Sequence, residues 1–250
     1  MLLAHTLGVR RIDLYLQHER ILGERELAPY RELTARRGKG EPVAYLMGHR
    51  EFMALDFEVT PTVLVPNPDT ELLVQRAIAW ARERESPPLI ADVGTGSGCI
   101  AVAIARYAPA ARIIACDVDA AALEVAKRNA VRHGVEGRVE LVQSDLLQNL
   151  PSGLDLACAN LPYIADGEQL PPEVIVQPPR ALFAGPKGTE LNERFLAEAP
   201  HHLAPGGAVM IEFDPRTVTV LAPIAERHYA GHRLHRDAAG RERVLEAWSS

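Results

Sequence analysis

Leu89-Ile90-Ala91-Asp92-Val93-Gly94-Thr95-Gly96-Ser97-Gly98 is an apolar run that ends in three alternating glycines. A short apolar run closed by glycines reads as a buried strand followed by a tight turn. The small-residue stretch from Cys99 to Tyr107 reads as a helix, so the segment is strand, glycine turn, helix. Gly94, Gly96 and Gly98 let the backbone bend sharply and leave its amides free, while the helix start adds partial positive charge worth about 0.3–1 kcal/mol to a nearby anion. A nucleotide-type cofactor suits such a turn. The spacing is G-x-G-x-G rather than the G-x-G-x-x-G of dinucleotide binders, and no Walker lysine follows.

From Pro88 onward strand-like and helix-like runs alternate, the signature of a parallel sheet covered on both faces. Strands are expected near 89–93, 112–117, 138–143, 154–159 and 207–213, with helices near 98–108, 119–133, 189–203 and 217–228. Arg233 to Asp237 and Arg243 to Trp248, separated by Ala238-Ala239-Gly240, read as a closing hairpin, which makes at least one terminal strand antiparallel. Upstream, Leu3, Leu7, Ile12, Tyr15 and Leu16 recur at helical intervals, and Gly8, Gly23 and Gly38 punctuate them. Two or three short helices that lean on the following domain are expected up to about Lys39. Phe52 to Val59 looks extended. Pro61, Pro66 and Pro68 then break any helix before Asp69-Thr70-Glu71, and Asp69 or Thr70 is placed to cap a helix running through Leu72, Leu73, Ala77 and Trp80. The chain thus divides into a helical region (1–40), an extended or hairpin linker (41–68) and a large α/β domain (69–250).

At 250 residues, 47% hydrophobic and 24% charged, the composition is that of a soluble globular chain. No apolar run approaches the roughly 18 residues of a membrane span, and the amino end lacks a signal peptide's order, so a cytoplasmic protein is expected. Cys99, Cys116 and Cys158 show no ligand spacing and read as reduced core thiols, and the nine histidines show no metal pattern. A net charge of −6 argues against broad binding to a phosphate backbone. Residues 10–39 carry a local excess of basic side chains, which suits a solvated helical face or a partner-docking surface.

Asp117 ends the strand after the glycine turn, where a carboxylate can accept both hydroxyls of a ribose; the bland alternative is a cap for the helix near Asp119. Asp145 and Leu146 stand where an adenine edge would lie, or else form a turn. A second apolar run, Leu154 to Ala159, ends in Asn160-Leu161-Pro162-Tyr163. Both motifs therefore project from carboxyl ends of strands, where open sheets bind ligands. A planar nitrogen is a poor nucleophile because its lone pair is delocalised. The Asn160 side-chain oxygen and the Leu161 carbonyl can accept the two N–H bonds of such a nitrogen and aim its lone pair; Pro162 stiffens the corner and the Tyr163 ring packs against a planar group. Alone, N-x-P-Y is usually a turn; after the fourth strand of such a sheet it reads as a site. Residues 160–188 hold six prolines and no periodicity, which suits a lid or wall.

The row of Asp92, glycines, Asp117 and Asp145 resembles the class I S-adenosylmethionine-dependent methyltransferases. The chain also resembles the HemK-type protein-(glutamine-N5) methyltransferases in Glu41-Pro42-Val43-Ala44-Tyr45-Leu46-Met47-Gly48 with Glu51-Phe52, in Val65-Pro66-Asn67-Pro68-Asp69-Thr70-Glu71, and in Gly240-Arg241-Glu242-Arg243. That resemblance implies a seven-stranded, mostly parallel Rossmann-like sheet with an antiparallel terminal strand and a shortened amino-terminal docking region. It implies methyl transfer from S-adenosylmethionine to the glutamine N5 of the Gly-Gly-Gln motif of peptide chain release factors, leaving S-adenosylhomocysteine. Asp92, Gly94, Thr95, Gly96, Ser97, Gly98, Asp117, Asp145, Leu146 and Asn160 would serve the cofactor, and Asn160, Leu161, Pro162 and Tyr163 the substrate amide, with no metal. The chain departs from the family at Leu161 (usually proline), Asn67 (arginine), Gln177 (glutamate) and Phe213-Asp214 (Ile-Gly). Asn-Leu-Pro-Tyr is also the form in rRNA adenine N6-dimethyltransferases, so adenine in nucleic acid is a second substrate class and a non-catalytic cofactor-binding module a third reading. Acidic charge and 5% aromatic residues weigh against the adenine reading.

Overall fold

In the computed structural model, which describes residues 1–250, helix α1 (Leu2–Leu7) ends on Gly8 in the left-handed region, α2 (Arg11–Leu16) follows, and Gly23 precedes α3 (Glu24–Gly38). The third helix is longer than the punctuation suggests, because Gly38 stays inside it. Ala4 is the only buried residue of these three helices. Helix α4 (Val43–Met47) is different: it buries Ala44, Tyr45 and Leu46, and the Tyr45 hydroxyl donates to the Val63 carbonyl at 2.6 Å.

The extended stretch is a hairpin of β1 (His49–Phe52) and β2 (Leu55–Glu58). Met53 and Ala54 turn it with φ of 51° and 57°, the left-handed pair that a two-residue hairpin turn demands. Two contacts hold that strained turn: the Glu71 carboxylate accepts from the Met53 amide at 2.9 Å, and the Tyr107 hydroxyl donates to the Met53 carbonyl at 2.7 Å. Neither Asp69 nor Thr70 caps the helix that follows, α5 (Glu71–Arg82). Asn67 instead accepts from the Asp69 amide at 3.1 Å and starts a 3-10 turn over Pro68–Thr70, which leaves the Thr70 side chain free to turn inward.

The remainder runs β3 (Leu89–Val93), α6 (Cys99–Tyr107), β4 (Arg112–Asp117), α7 (Ala120–Arg132), β5 (Val139–Gln143), β6 (Leu154–Ala159), α8 (Pro172–Ile175), α9 (Glu190–Glu198), β7 (Leu203–Glu212), α10 (Val218–His228), β8 (Gly231–Arg236) and β9 (Glu242–Trp248). These form one seven-stranded sheet in the order β5-β4-β3-β6-β7-β9-β8. Five strands are parallel neighbours; β9 lies antiparallel between β7 and β8. The α/β architecture expected from the alternating pattern is therefore present. Successive residues of the central strands feed opposite cores: Leu156 and Cys158 pack with α5 and α6, Ala157 and Ala159 with α9 and α10.

One boundary differs materially. The helix expected over 189–203 stops at Glu198, a 3-10 turn through Pro200 replaces its last turn, and β7 begins at Leu203, four residues ahead of expectation. Proline removes a helical donor, and Gly206 at φ 72° lets the early strand bend where its pairing with β6 shifts register.

Candidate active site

Strands β3 and β6 are adjacent, with Val93 opposite Ala159, so the segments that leave them do so side by side. This is where the strand order reverses, the crevice in which such sheets take ligands. Gly94 has φ 74°, and a Cβ built on it would stand 3.1 Å from the Leu161 side chain. The glycine turn and the Asn160 corner are therefore in direct contact, and the missing side chain makes room for that contact.

A cavity of about 390 Å³ opens above them. It is lined by Gly94, Thr95, Gly96 and Ser97, by Asp117, Asp145 and Leu146, and by Asn160, Leu161 and Pro162. Asp117 presents its carboxylate there while Oδ2 accepts from the Gly96 amide and Oδ1 from the Asp119 amide, both at 2.9 Å. Burial raises its pKa, and those amides pull it back down. Asp119, not Asp117, caps α7, accepting from the Ala121 amide. Asp145 lies beyond the end of β5 and is paired with Arg194. Leu146 sits in the left-handed region at φ 49°, with its carbonyl accepting from the Cys116 thiol.

Two residues expected at the cofactor stand behind the turn, outside the lining. Asp92 is fully buried; its Oδ2 accepts from the Thr95 hydroxyl at 2.6 Å and from the Ala101 amide at 3.0 Å. It pins the glycine turn to the first turn of α6. Gly98, at φ 80°, faces α7, where a Cβ would stand 3.0 Å from that of Ala126. Its lack of a side chain serves helix packing.

A second cavity, of about 510 Å³, lies on the far side of the corner. Tyr163 lines this one only, together with Arg50, Glu173 and Gln177. Leu64 to Asn67 and Asn160 to Pro162 border both cavities, so the corner and the linker form the partition between them. The sequence reading missed the linker's part in both walls, although Val65-Pro66-Asn67 belongs to a stretch whose prolines already marked it as special. Gln177 ties wall to linker, its Oε1 accepting from the Val65 amide at 3.0 Å.

Asn160 donates from Nδ2 to the Thr70 hydroxyl at 2.9 Å, which leaves Oδ1 for the cavity side. No hydrogen bond within the chain engages the Leu161 carbonyl. Behind Thr70 lies Glu212, which has no solvent exposure; burial pushes its carboxyl up to about 7 against the opposing pull of Thr70 and Arg243. The Tyr163 hydroxyl also reaches Glu212, at 3.5 Å, and burial beside that carboxylate raises the phenol's pKa. A glutamate closing the apolar run Val209-Met210-Ile211 was the available sign of this buried network.

The first cavity fits an adenosyl sulfonium donor by its chemistry. It has the Ser97 amide unpaired on a turn whose Gly94 and Thr95 amides donate to the Cys116 carbonyl and whose Gly96 amide donates to Asp117, the Asp117 carboxylate at the end of β4, apolar flanks at Val118 and Leu146, and a polar corner at its end. Comparison with known proteins agrees. Residues 69–185 match the family model of the methyltransferase small domain and residues 1–48 that of the PrmC N-terminal domain. A release factor glutamine methyltransferase of Rhodopirellula baltica is 41% identical over 98% of this chain and 86% of its own length. Another, of Geobacter sulfurreducens, is 39% identical with the same coverage. Among solved structures, a methyltransferase of Pyrococcus furiosus matches 88% of this chain and 98% of its own with TM-score 0.61 at 20% identity. A Thermus thermophilus 16S rRNA methyltransferase in complex with AdoMet and guanosine matches 81% of this chain and 50% of its own with TM-score 0.60 at 16% identity. At such identities these two speak for the fold.

Proposed function

Since the chain belongs to the release factor glutamine methyltransferase family, we propose that it methylates the side-chain nitrogen N5 of the glutamine in the Gly-Gly-Gln motif of peptide chain release factors, in the cytoplasm. It is an S-adenosylmethionine-dependent protein-glutamine methyltransferase. When bound, S-adenosylmethionine supplies a methyl group on a positively charged sulfur, open to attack by a nitrogen lone pair.

The chain's own residues do the rest. The glycine turn from Gly94 to Ser97, with the Ser97 amide unpaired, the Asp117 carboxylate and the Asp145-Leu146 bend hold the donor in the first cavity. The glutamine side chain enters through the second, past Tyr163. Asn160 Oδ1 and the Leu161 carbonyl accept one N–H each, which turns the nitrogen's lone pair toward the donor side of the partition. As the new N–C bond forms along that lone pair, the methyl–sulfur bond would break with its electron pair left on the sulfur as the neutral thioether of S-adenosylhomocysteine, and the surplus amide proton leaves to water. No strong base stands in the corner, so rate comes from placement and aimed hydrogen bonds. Leu161 in place of proline keeps the carbonyl the corner uses.

The observation that carries this reading is the partition: residues 160–162 border both cavities at once. Labelled S-adenosylmethionine should transfer its methyl to a release factor and not to a Gly-Gly-Asn variant of it. Label appearing on rRNA instead would establish the adenine reading, and cofactor binding with no acceptor at all would leave a binding module.

A further inference from the structure

We propose that Arg50 is a specificity-determining residue of the second cavity, its guanidinium donating to the main-chain carbonyls that flank the acceptor glutamine, so that the site holds a glutamine set in a peptide. This rests on the corner being the amide-binding site and names what grips the rest of the acceptor.

The hairpin sets the direction of the side chain. Successive residues of a strand point to opposite faces, and residues directly opposite each other across a ladder share one. Arg50 pairs with Phe57 and shares a face with Phe52, and both rings belong to the core of α5 and α6. His49, Asp56 and Glu58 lie on the other face. There Asp56 pairs with His49 and Arg132, and Glu58 with Arg128. Arg50 is left without those carboxylates and lines the second cavity, where its Nε is shut from solvent and has no hydrogen-bond partner. Buried donors are nearly always paired, so an unpaired one on a cavity wall points to a partner carried by what enters.

The other polar side chains of that cavity are engaged. Glu173, its one carboxylate, is held by Arg37. Gln177 accepts from the Val65 amide and donates to the Glu173 carbonyl, and the Tyr163 hydroxyl reaches Glu212. Asn160 and the Leu161 carbonyl serve the acceptor amide. A guanidinium has five donors and no acceptor, so Arg50 calls for oxygen atoms.

Size and substrate say which oxygens. The second cavity, of about 510 Å³, is larger than the first, of about 390 Å³, which takes a whole adenosyl donor, so it has room for main chain beside a glutamine side chain. Two glycines before the glutamine bring no side chains, and the oxygens they place near it are peptide carbonyls. The planar fork of an arginine reaches two such carbonyls together, whereas an ammonium is a compact point charge.

Arg50→Met keeps the apolar stem and removes the donors, while Arg50→Lys keeps the charge and removes the fork. With full-length enzyme and release factor, Arg50→Met should raise the KM for the release factor at least about tenfold, the loss expected of hydrogen bonds from a charged donor. The kcat and the KM for S-adenosylmethionine should change less than about threefold, because the contact is made equally before and during methyl transfer. Arg50→Lys, which tests the site should the methionine variant not fold, should stay at least about threefold impaired in the same KM. With a release factor whose acidic residues near the glutamine are changed to their amides, the defect should persist. Its disappearance there would mean that the guanidinium takes a carboxylate and would overturn the carbonyl assignment, as would full rescue by lysine. A folded Arg50→Met enzyme with the wild-type KM, or with a loss confined to kcat, overturns the inference and leaves the functional reading standing. A wild type that leaves release factors unmethylated refutes both.

Discussion

At the scale of single residues, the two acids of the glycine turn do different work. Asp92 is spent on the protein, holding Thr95 and Ala101, while its Oδ1 has no partner at all. Burial raises its carboxyl to about 7, against an opposing pull from those two donors. Because the folded chain holds that proton more tightly than the unfolded one, the stability it contributes is complete below about pH 4 and is lost as pH rises to about 7. Wild type should therefore lose stability relative to Asp92→Asn across that window and run parallel to it above, as urea unfolding at several pH values will reveal; equal slopes throughout would show that the buried acid does not titrate there. Asp117 faces the first cavity and also anchors the Gly96 amide. Its replacement by alanine removes hydrogen bonds to a charged group, worth about 1.5–3 kcal/mol each, so the S-adenosylmethionine dissociation constant should rise at least about tenfold by calorimetry. An unaltered constant would deny it a ribose contact.

Among the elements, the loop of residues 160–188 matters most, because its fixed conformation gives both cavities a wall. Ile164 bridges to Phe183, the Asp166 amide donates to the Gly185 carbonyl, and Gly188 at φ 76° lies so close to Tyr163 that a Cβ would stand 2.8 Å from its carbonyl. The single side-chain tie from this wall to the linker is Gln177 to the Val65 amide. Losing it forfeits about 0.5–1.5 kcal/mol, so Gln177→Ala should weaken cofactor binding by up to about tenfold while the melting temperature hardly moves. If binding is untouched, the linker holds its place without the glutamine. The same elements show what a sequence reading can and cannot see. The central strands were legible because buried parallel strands are continuous apolar runs ended by glycine or proline. The turn at Met53-Ala54 was not, since neither residue favours positive φ and the contacts from Glu71 and Tyr107 that hold it come from outside the hairpin. Thr70 looked like a cap for the same reason: its partner, Asn160, is 90 residues away, and only the fold brings the two together.

For the whole molecule, the contrast is between a sheet buried on both faces and an amino-terminal region that buries almost nothing. Helices α1 to α3 contribute one buried residue, while Ile12, Tyr15, Leu16 and Ile21 lie exposed. Their ties to the rest are ion pairs such as Arg36 with Glu41 and Arg37 with Glu173, both partly in solvent, where a pair contributes about 0–1 kcal/mol. Closer contacts are few: the His5 ring lies 6.4 Å from that of His49, and Gly40, at φ 96°, lies against Pro172 so tightly that a Cβ would stand 3.0 Å from that ring's Cβ. The helices therefore meet the wall of the second cavity at one end and are otherwise loosely attached. Local stability follows buried apolar contact. Amide hydrogen exchange should show α1 to α3 opening separately, at free energies well below that of β3, β6 and β7, and little affected by low denaturant. Added S-adenosylmethionine should slow exchange in residues 62–67 and 94–97, which line the first cavity, and leave residues 2–30 as they were. Exchange of all three helices together with the sheet would instead mean that the few contacts around Gly40 and α4 couple the two parts into one cooperative unit.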